Sequence, residues 1–236
     1  MTIDAARLTG LPSIVVALAL AGAPAHASAQ SRDARPQSRV DVVVGGGLLA
    51  GAGLGSKDAT LRANSTTPQP YRLFTAVSRF SAAPLFEIRS SVPLNRRLEI
   101  EGGLVLTHPE LRSAIGNDVE NPAALTIVER VDQYFIDARL IVMIDELSLG
   151  DRTVPFVEGG GGYLRQLHEG QAVVEHGHLY HLGAGLKHWM VARDRGAIKG
   201  AGVRGDARVY VMARGISFGN RPRPRAAISG SFFVSF

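Results

Sequence analysis

Charged residues in this chain recur at a spacing of two: Glu87 with Arg89, Glu99 with Glu101, Asp137 with Arg139, and Arg204 with Asp206 and Arg208. Glu158, Lys187 and Arg225 stand in similarly apolar surroundings. Carboxylates pressed against guanidiniums away from water are where proton affinities shift, so the set has the composition of an acid–base or proton-transfer constellation. It has equally the composition of a neutralised filling, in which opposite charges pair because neither can be left bare in a low-dielectric interior. In a β-strand a spacing of two puts side chains on one face, so either use needs strands that turn those faces toward one another. The interior of an eight-stranded barrel is just wide enough for side chains to fill. Filling accounts for all of these residues without chemistry, so the expectation is a lumenal charge network with no catalytic residue, no enzyme activity and no wide diffusion pore.

Other spacings point to chemistry and fail on context. Gly45-Gly46-Gly47-Leu48-Leu49-Ala50 follows a β-like run and satisfies G-x-G-x-x-A, the start of a dinucleotide fold. The helix that should follow meets Gly51, Gly53 and Gly55, and no acidic residue ends a strand about twenty residues on. No cofactor is expected. His176, His178 and His181 resemble a metal cluster, but in a strand the first two share a face and His181 points the other way. A single site would require a bulge or loop, so no metal is assigned and an exposed rim is the reading kept. Arg204-Gly205-Asp206 spells an adhesion tripeptide, yet it falls inside a strand pattern with both charges on one face. His188 with a nearby partner on the strand over 203–214 is the least unsuitable pair for an enzyme of the outer leaflet.

The elements that must position these groups are strands. Residues 39–54 alternate, with Val42, Val44, Leu48 and Leu54 on one face and Asp41, Gly45 and Gly47 on the other. The same rule sets Phe86, Ile88 and Val92 against Glu87 and Arg89, Ile100 and Leu104 against Glu99 and Glu101, and Ile136 and Leu140 against Asp137 and Arg139. Further runs cover 127–144, 153–167, 179–190 and 203–214. The last segment places Ile228, Phe232, Val234 and Phe236 opposite Ser229, Ser231 and Ser235, with Phe233 as the exception. The count is about eight strands. Between them lie long polar connections, 55–83 and 108–126, the first with a short extra strand over 72–80, alternating with a tight turn at Asn95-Arg96.

Arg7 precedes an apolar run from Leu11 to Ala23, followed by Ala25-His26-Ala27 and Ala27-Ser28-Ala29, which read as cleavage sites. Residues 1–29 are therefore expected to be a cleaved signal peptide, 30–38 a flexible segment and 39–236 one barrel domain. The chain has no cysteine, so it has neither disulfides nor thiolate metal sites. The 26 Lys and Arg and 21 Asp and Glu are interspersed. No basic stripe marks a nucleic-acid partner, while the excess positive charge suits contact with anionic lipopolysaccharide.

Alternation alone leaves open which face is inside, because a soluble lipocalin-like barrel that binds ligands has the same period. Three features favour lipid outside. Glycines crowd the charged face, leaving room for long Arg and Glu chains; acids and bases share that face in nearly every strand; and aromatic residues lie toward strand ends on the apolar face. Pro155-Phe156-Val157-Glu158-Gly159-Gly160-Gly161-Gly162-Tyr163 and the terminal Phe232, Val234 and Phe236 resemble the small bacterial outer-membrane β-barrel proteins of the OmpA/OmpX type. That resemblance implies an all-β, closed, antiparallel up-and-down transmembrane barrel in the outer membrane of a Gram-negative cell. It also implies that the barrel-assembly machinery reads the terminal aromatic residue. The expected function is membrane integrity or surface interaction through extracellular loops, as a monomer surrounded by outer-membrane lipid.

Overall fold

A computed structural model describes residues 40–61, 71–119, 125–169, 173–193, 196–216 and 222–236. The expected signal peptide, 1–29, and the expected flexible segment, 30–38, lie outside the described residues. Twelve strands make up nearly all of the fold: β1 Asp41–Leu49, β2 Ala52–Leu61, β3 Tyr71–Phe80, β4 Ala83–Pro93, β5 Leu98–Thr107, β6 Glu110–Gly116, β7 Leu125–Arg130, β8 Asp132–Met143, β9 Thr153–Leu167, β10 Val174–Ala192, β11 Gly200–Arg214 and β12 Arg223–Ser235. One 3-10 turn, Asp145–Leu147, is the helical exception among the described residues.

Eight strands close on themselves in the order β1-β12-β11-β10-β9-β8-β5-β4, every pair antiparallel, with β4 returning to β1. The other four form a sheet ordered β2-β3-β6-β7. Each of these is the upward continuation of a barrel strand past a short break: Ala50-Gly51, Ser81-Ala82, His108-Pro109 and Val131. Backbone bonds carry the ladder across the breaks, from Ser81 N to Glu110 O at 2.9 Å and from Val131 N to Pro109 O at 3.0 Å. The segments 55–83 and 108–126, read as loops from their polar composition, are therefore largely strand. They project past the ends of their barrel neighbours β12 and β9. The run read as 127–144 is likewise two strands divided at Val131.

The break also changes parity. Leu54, read onto the outward apolar face, turns inward at 5% exposure and packs with Phe80, Leu111 and Val131. The register between β2 and β3 shifts between Gly53 and Gly55, and Gly55 takes a positive φ of 96°. A two-residue period cannot survive an inserted residue, which is why uninterrupted alternation misplaced Leu54.

Below the break each strand keeps one face outward. Val44, Ile88, Leu104, Leu140, Val157, Leu182, Val209 and Phe232, one from each barrel strand, are all exposed. Tyr163 and Tyr180 lie on this outer surface near the end that carries the extension. Both chain ends of the domain and the tight turn after Pro93 lie at the opposite end, since Asp41 pairs with both Ser235 and Ser91. Large aliphatic and aromatic side chains around a whole circumference, with the charges inside, match lipid and not water. The lipocalin-like alternative, with its apolar face inward, has the faces reversed.

Lumen-facing glycines make room for this interior. A Cβ on Gly103 would come 2.5 Å from Arg89 Cγ, and one on Gly183 would come 2.7 Å from Arg208 Cγ. A Cβ on outward Gly230 meets nothing within 4 Å. Gly183→Val should therefore destabilise the folded barrel by about 1–3 kcal/mol through overpacking, whereas Gly230→Ala should refold like the parent. Urea titration of the refolded chain, followed by heat-modifiable gel mobility, checks both.

Candidate functional site

Every residue of the sequence-derived charge set is buried: Glu87, Arg89, Glu99, Glu101, Asp137, Arg139, Glu158, Lys187, Arg204, Asp206, Arg208 and Arg225. Eleven of them meet in the lumen, in a belt and a smaller group beneath it; Arg225 lies apart, higher up.

At the centre of the belt is a square of four charges from four strands. Arg139 on β8 donates from Nε to Glu101 Oε1 at 2.8 Å and from Nη1 to Glu158 Oε1 at 2.9 Å. Arg204 on β11 spans the same two carboxylates, donating from Nη1 to Glu101 Oε2 at 2.9 Å and from Nη2 to Glu158 Oε2 at 2.6 Å. Arg208 extends the square to Asp206 at 2.6 Å and to Glu87 at 2.7 Å. Arg89 links Glu87 at 3.0 Å with Asp137 at 2.7 Å. Each of the five belt carboxylates thus faces at least one guanidinium, the arrangement that offsets the cost of taking ions out of water.

Lys187 forms the lower group, donating from Nζ to Asp41 at 2.7 Å and to Glu99 at 2.9 Å. Its ammonium lies 5.1 Å from the Trp189 ring and 4.9 Å from the Phe233 ring, within reach of a cation–π contact. Here the exceptional Phe233 on the serine face finds its reason. It belongs to an apolar layer with Val43, Ile141, Met143, Val154, Phe156 and Trp189 that fills the barrel at the terminus end. A second apolar layer, including Leu49, Leu85, Val105, Phe135, Leu164 and Tyr210, fills it above the belt. The belt lies between these two apolar layers, and the Lys187 group lies within the lower one.

Several members escaped the residue-type reading. Asp41 had been placed on the polar face but not in the network. Ser229 Oγ lies 3.0 Å from both Glu87 Oε1 and Asp206 Oδ2, with one hydroxyl proton to give to either. His181, whose opposite parity to His176 and His178 was the available signal, has Nε2 3.3 Å from Asp137 Oδ2. His176 and His178 are exposed on the outer face, and Nδ1 of His176 is hydrogen-bonded to the Tyr163 hydroxyl. No group of His, Asp and Glu that could hold a metal occurs among the described residues. The triple glycine Gly45-Gly46-Gly47 lies within β1, where no phosphate-binding helix begins. Arg204 and Asp206 both point inward, away from any adhesion partner. His188 pairs through Nδ1 with Thr153 Oγ1 at 2.7 Å, so its partner comes from β9 and not from the strand expected.

The chain has the fold of an eight-stranded outer-membrane β-barrel. No family model matches it, and no curated protein does. Among solved structures it is similar to the outer membrane protease OmpT from Escherichia coli, at 8% identity over 84% of this chain and 96% of that one, with a TM-score of 0.39. This corrects the expectation that the chain is not an enzyme. The matched barrel is titled a protease, and a likeness at this level assigns no activity to this chain.

Without Arg208, Glu87 keeps Arg89 and Asp206 keeps Arg204 at 3.3 Å, but the five belt carboxylates face three buried guanidiniums instead of four. Arg208→Ala should cost about 3–5 kcal/mol of stability, read by chemical unfolding of the refolded barrel. It should not raise single-channel conductance in a planar bilayer, because both apolar layers remain. A wide open channel with unchanged stability would be the opposite result.

Proposed function

We propose that this protein is a monomeric bacterial outer-membrane barrel that presents its four-stranded extension as an interaction surface while the barrel itself anchors the chain and keeps the membrane closed. The observation carrying this reading is the division of faces, with ions inside, apolar side chains around the whole circumference, and a sheet that continues beyond that apolar band. The extension, β2-β3-β6-β7, carries both charge and apolar residues in the open, among them Lys57, Arg79, Arg112, Tyr71 and Val128. Its outermost strands β2 and β7 each have one strand neighbour, so their remaining backbone groups are available to an added strand. Asn64-Ser65-Thr66-Thr67-Pro68, named from sequence as part of the contact surface, lies outside the described residues.

Orientation follows from the barrel rule that short turns face the periplasm and long excursions face outward. The termini and the Leu94–Arg97 turn are then periplasmic. Export through a cleaved signal and insertion by the barrel-assembly machinery complete the reading. Phe232 and Phe236 are exposed on the outer surface at the closing strand, where such a signal is accessible. The OmpA/OmpX type is the class of small barrel this arrangement fits. Lipid and lipopolysaccharide are the partners of the apolar band and of the basic residues above it.

Because the chain lacks cysteine, single-cysteine variants report topology directly. In cells of a Gram-negative host, Thr126→Cys should react with a membrane-impermeant maleimide, whereas Arg96→Cys should react only after lysis. The reverse pattern would invert the orientation, and recovery of unlabelled protein in the soluble fraction would remove the membrane reading altogether.

A further inference from the structure

Among the described residues, Arg225 differs from every other buried cation in the barrel. It is 2% exposed, yet its hydrogen-bond partners are the Ala50 carbonyl, reached from Nε at 2.8 Å, and Gln133 Oε1, reached from Nη1 at 3.1 Å, while its guanidinium lies 5.3 Å from the Phe80 ring centre. Neither carries charge, and Nη2 has no partner among the described residues. Close by, Arg223 donates to the Ile216 carbonyl and, at 2.7 Å, to the Arg214 carbonyl, leaving its buried Nε unpartnered. Arg214 itself is exposed. These three arginines line one cavity at the upper mouth of the barrel, with Phe80, Leu164 and Met212 as apolar wall. The connection 215–222 that joins β11 to β12 contains Arg221 and no acidic residue.

A guanidinium out of water needs a counter-charge, and the belt below supplies one to each of its own. At the mouth, no carboxylate among the described residues pairs with these guanidiniums. We infer that the Arg214, Arg223 and Arg225 cavity is a binding site for a phosphate-class oxyanion entering from the extension side. Orphan N–H groups on two guanidiniums, with a third guanidinium at the entrance, suit a ligand that presents several acceptor oxygens and more than one negative charge. The apolar wall lowers the local dielectric and strengthens those contacts. The cavity has room for roughly one water-sized group, so it seats one oxygen of the anion, and the rest of the anion lies outside it. Binding itself is independent of the proposed orientation; that the anion arrives from outside the cell rests on it.

The test uses the mature chain refolded in a maltoside detergent free of phosphate, with heat-modifiable mobility verified for every sample so that loss of the barrel is seen separately from loss of the site. Inorganic phosphate is titrated by calorimetry and by phosphorus NMR line broadening, and a phosphorylated sugar in a parallel arm. Saturable binding, weakened about tenfold or more by Arg225→Gln and by Arg223→Gln but unaffected by the distant Arg97→Gln, is the expected result. Tighter binding of the sugar phosphate would identify a phosphorylated saccharide as the source, and equal or weaker binding would identify free phosphate. Should Arg225→Gln fail to fold, Arg214→Gln, whose side chain is exposed, carries the comparison. No saturable binding by the parent, or binding that survives substitution of all three arginines, would overturn the site.

Discussion

Two arginines, Arg139 and Arg204, both hold the same two carboxylates, Glu101 and Glu158, and the rest of the barrel is arranged to let that square exist. Four ions out of water are tolerable only at hydrogen-bonding distance with their lone pairs taken. That demand fixes which strands face one another and at what height. It explains the glycines, because long side chains reaching across a narrow lumen need bare backbone beneath them. It also explains the apolar layers above and below, which keep water from competing for the guanidiniums. With these charges gathered inside, the outer face carries large apolar side chains on every barrel strand.

Most of this interior was legible in the sequence, for a physical reason. A closed antiparallel barrel is a strictly two-sided object, so residue parity within one strand decides inside from outside without knowledge of any other strand. Glu87 and Arg89, or Asp137 and Arg139, needed only their spacing of two. The pairings were not legible: nothing local links Arg204 to Glu101 and Glu158, since closure and strand tilt bring them together. Parity also failed where the chain breaks stride. Leu54 changes face after the break at Ala50-Gly51, and the polar segments around 55–83 and 108–126 looked like loops because a sheet projecting into water alternates between polar and weakly apolar residues.

Those two segments change how the molecule is pictured. The barrel proper ends where β9 and β12 stop pairing, but four strands continue without their outer neighbours, and a closed structure becomes an open one. Leu54, Phe80, Leu111 and Val131 plug the transition. Above it, backbone groups on two edges are no longer committed within the sheet. The part of the molecule with the most regular bonding and the part with the most unspent bonding capacity are therefore built from the same continuous strands. The mouth arginines lie at their junction, where the full pairing of the belt gives way to unpaired positive charge.

The span of the lumenal ion pairs along the chain carries a consequence for biogenesis. Glu101 and Arg204 are 103 residues apart, and Asp41 and Lys187 are 146 apart. A half-built sheet would hold the acids of the early strands without the bases of the late ones. Such a sheet has no stable way to sit in hydrocarbon with its inner face exposed, so partly assembled forms are held at the water interface until the last strands arrive. Ring closure, ion pairing and passage into the bilayer then become one cooperative step, and the final strand, β12, controls its timing.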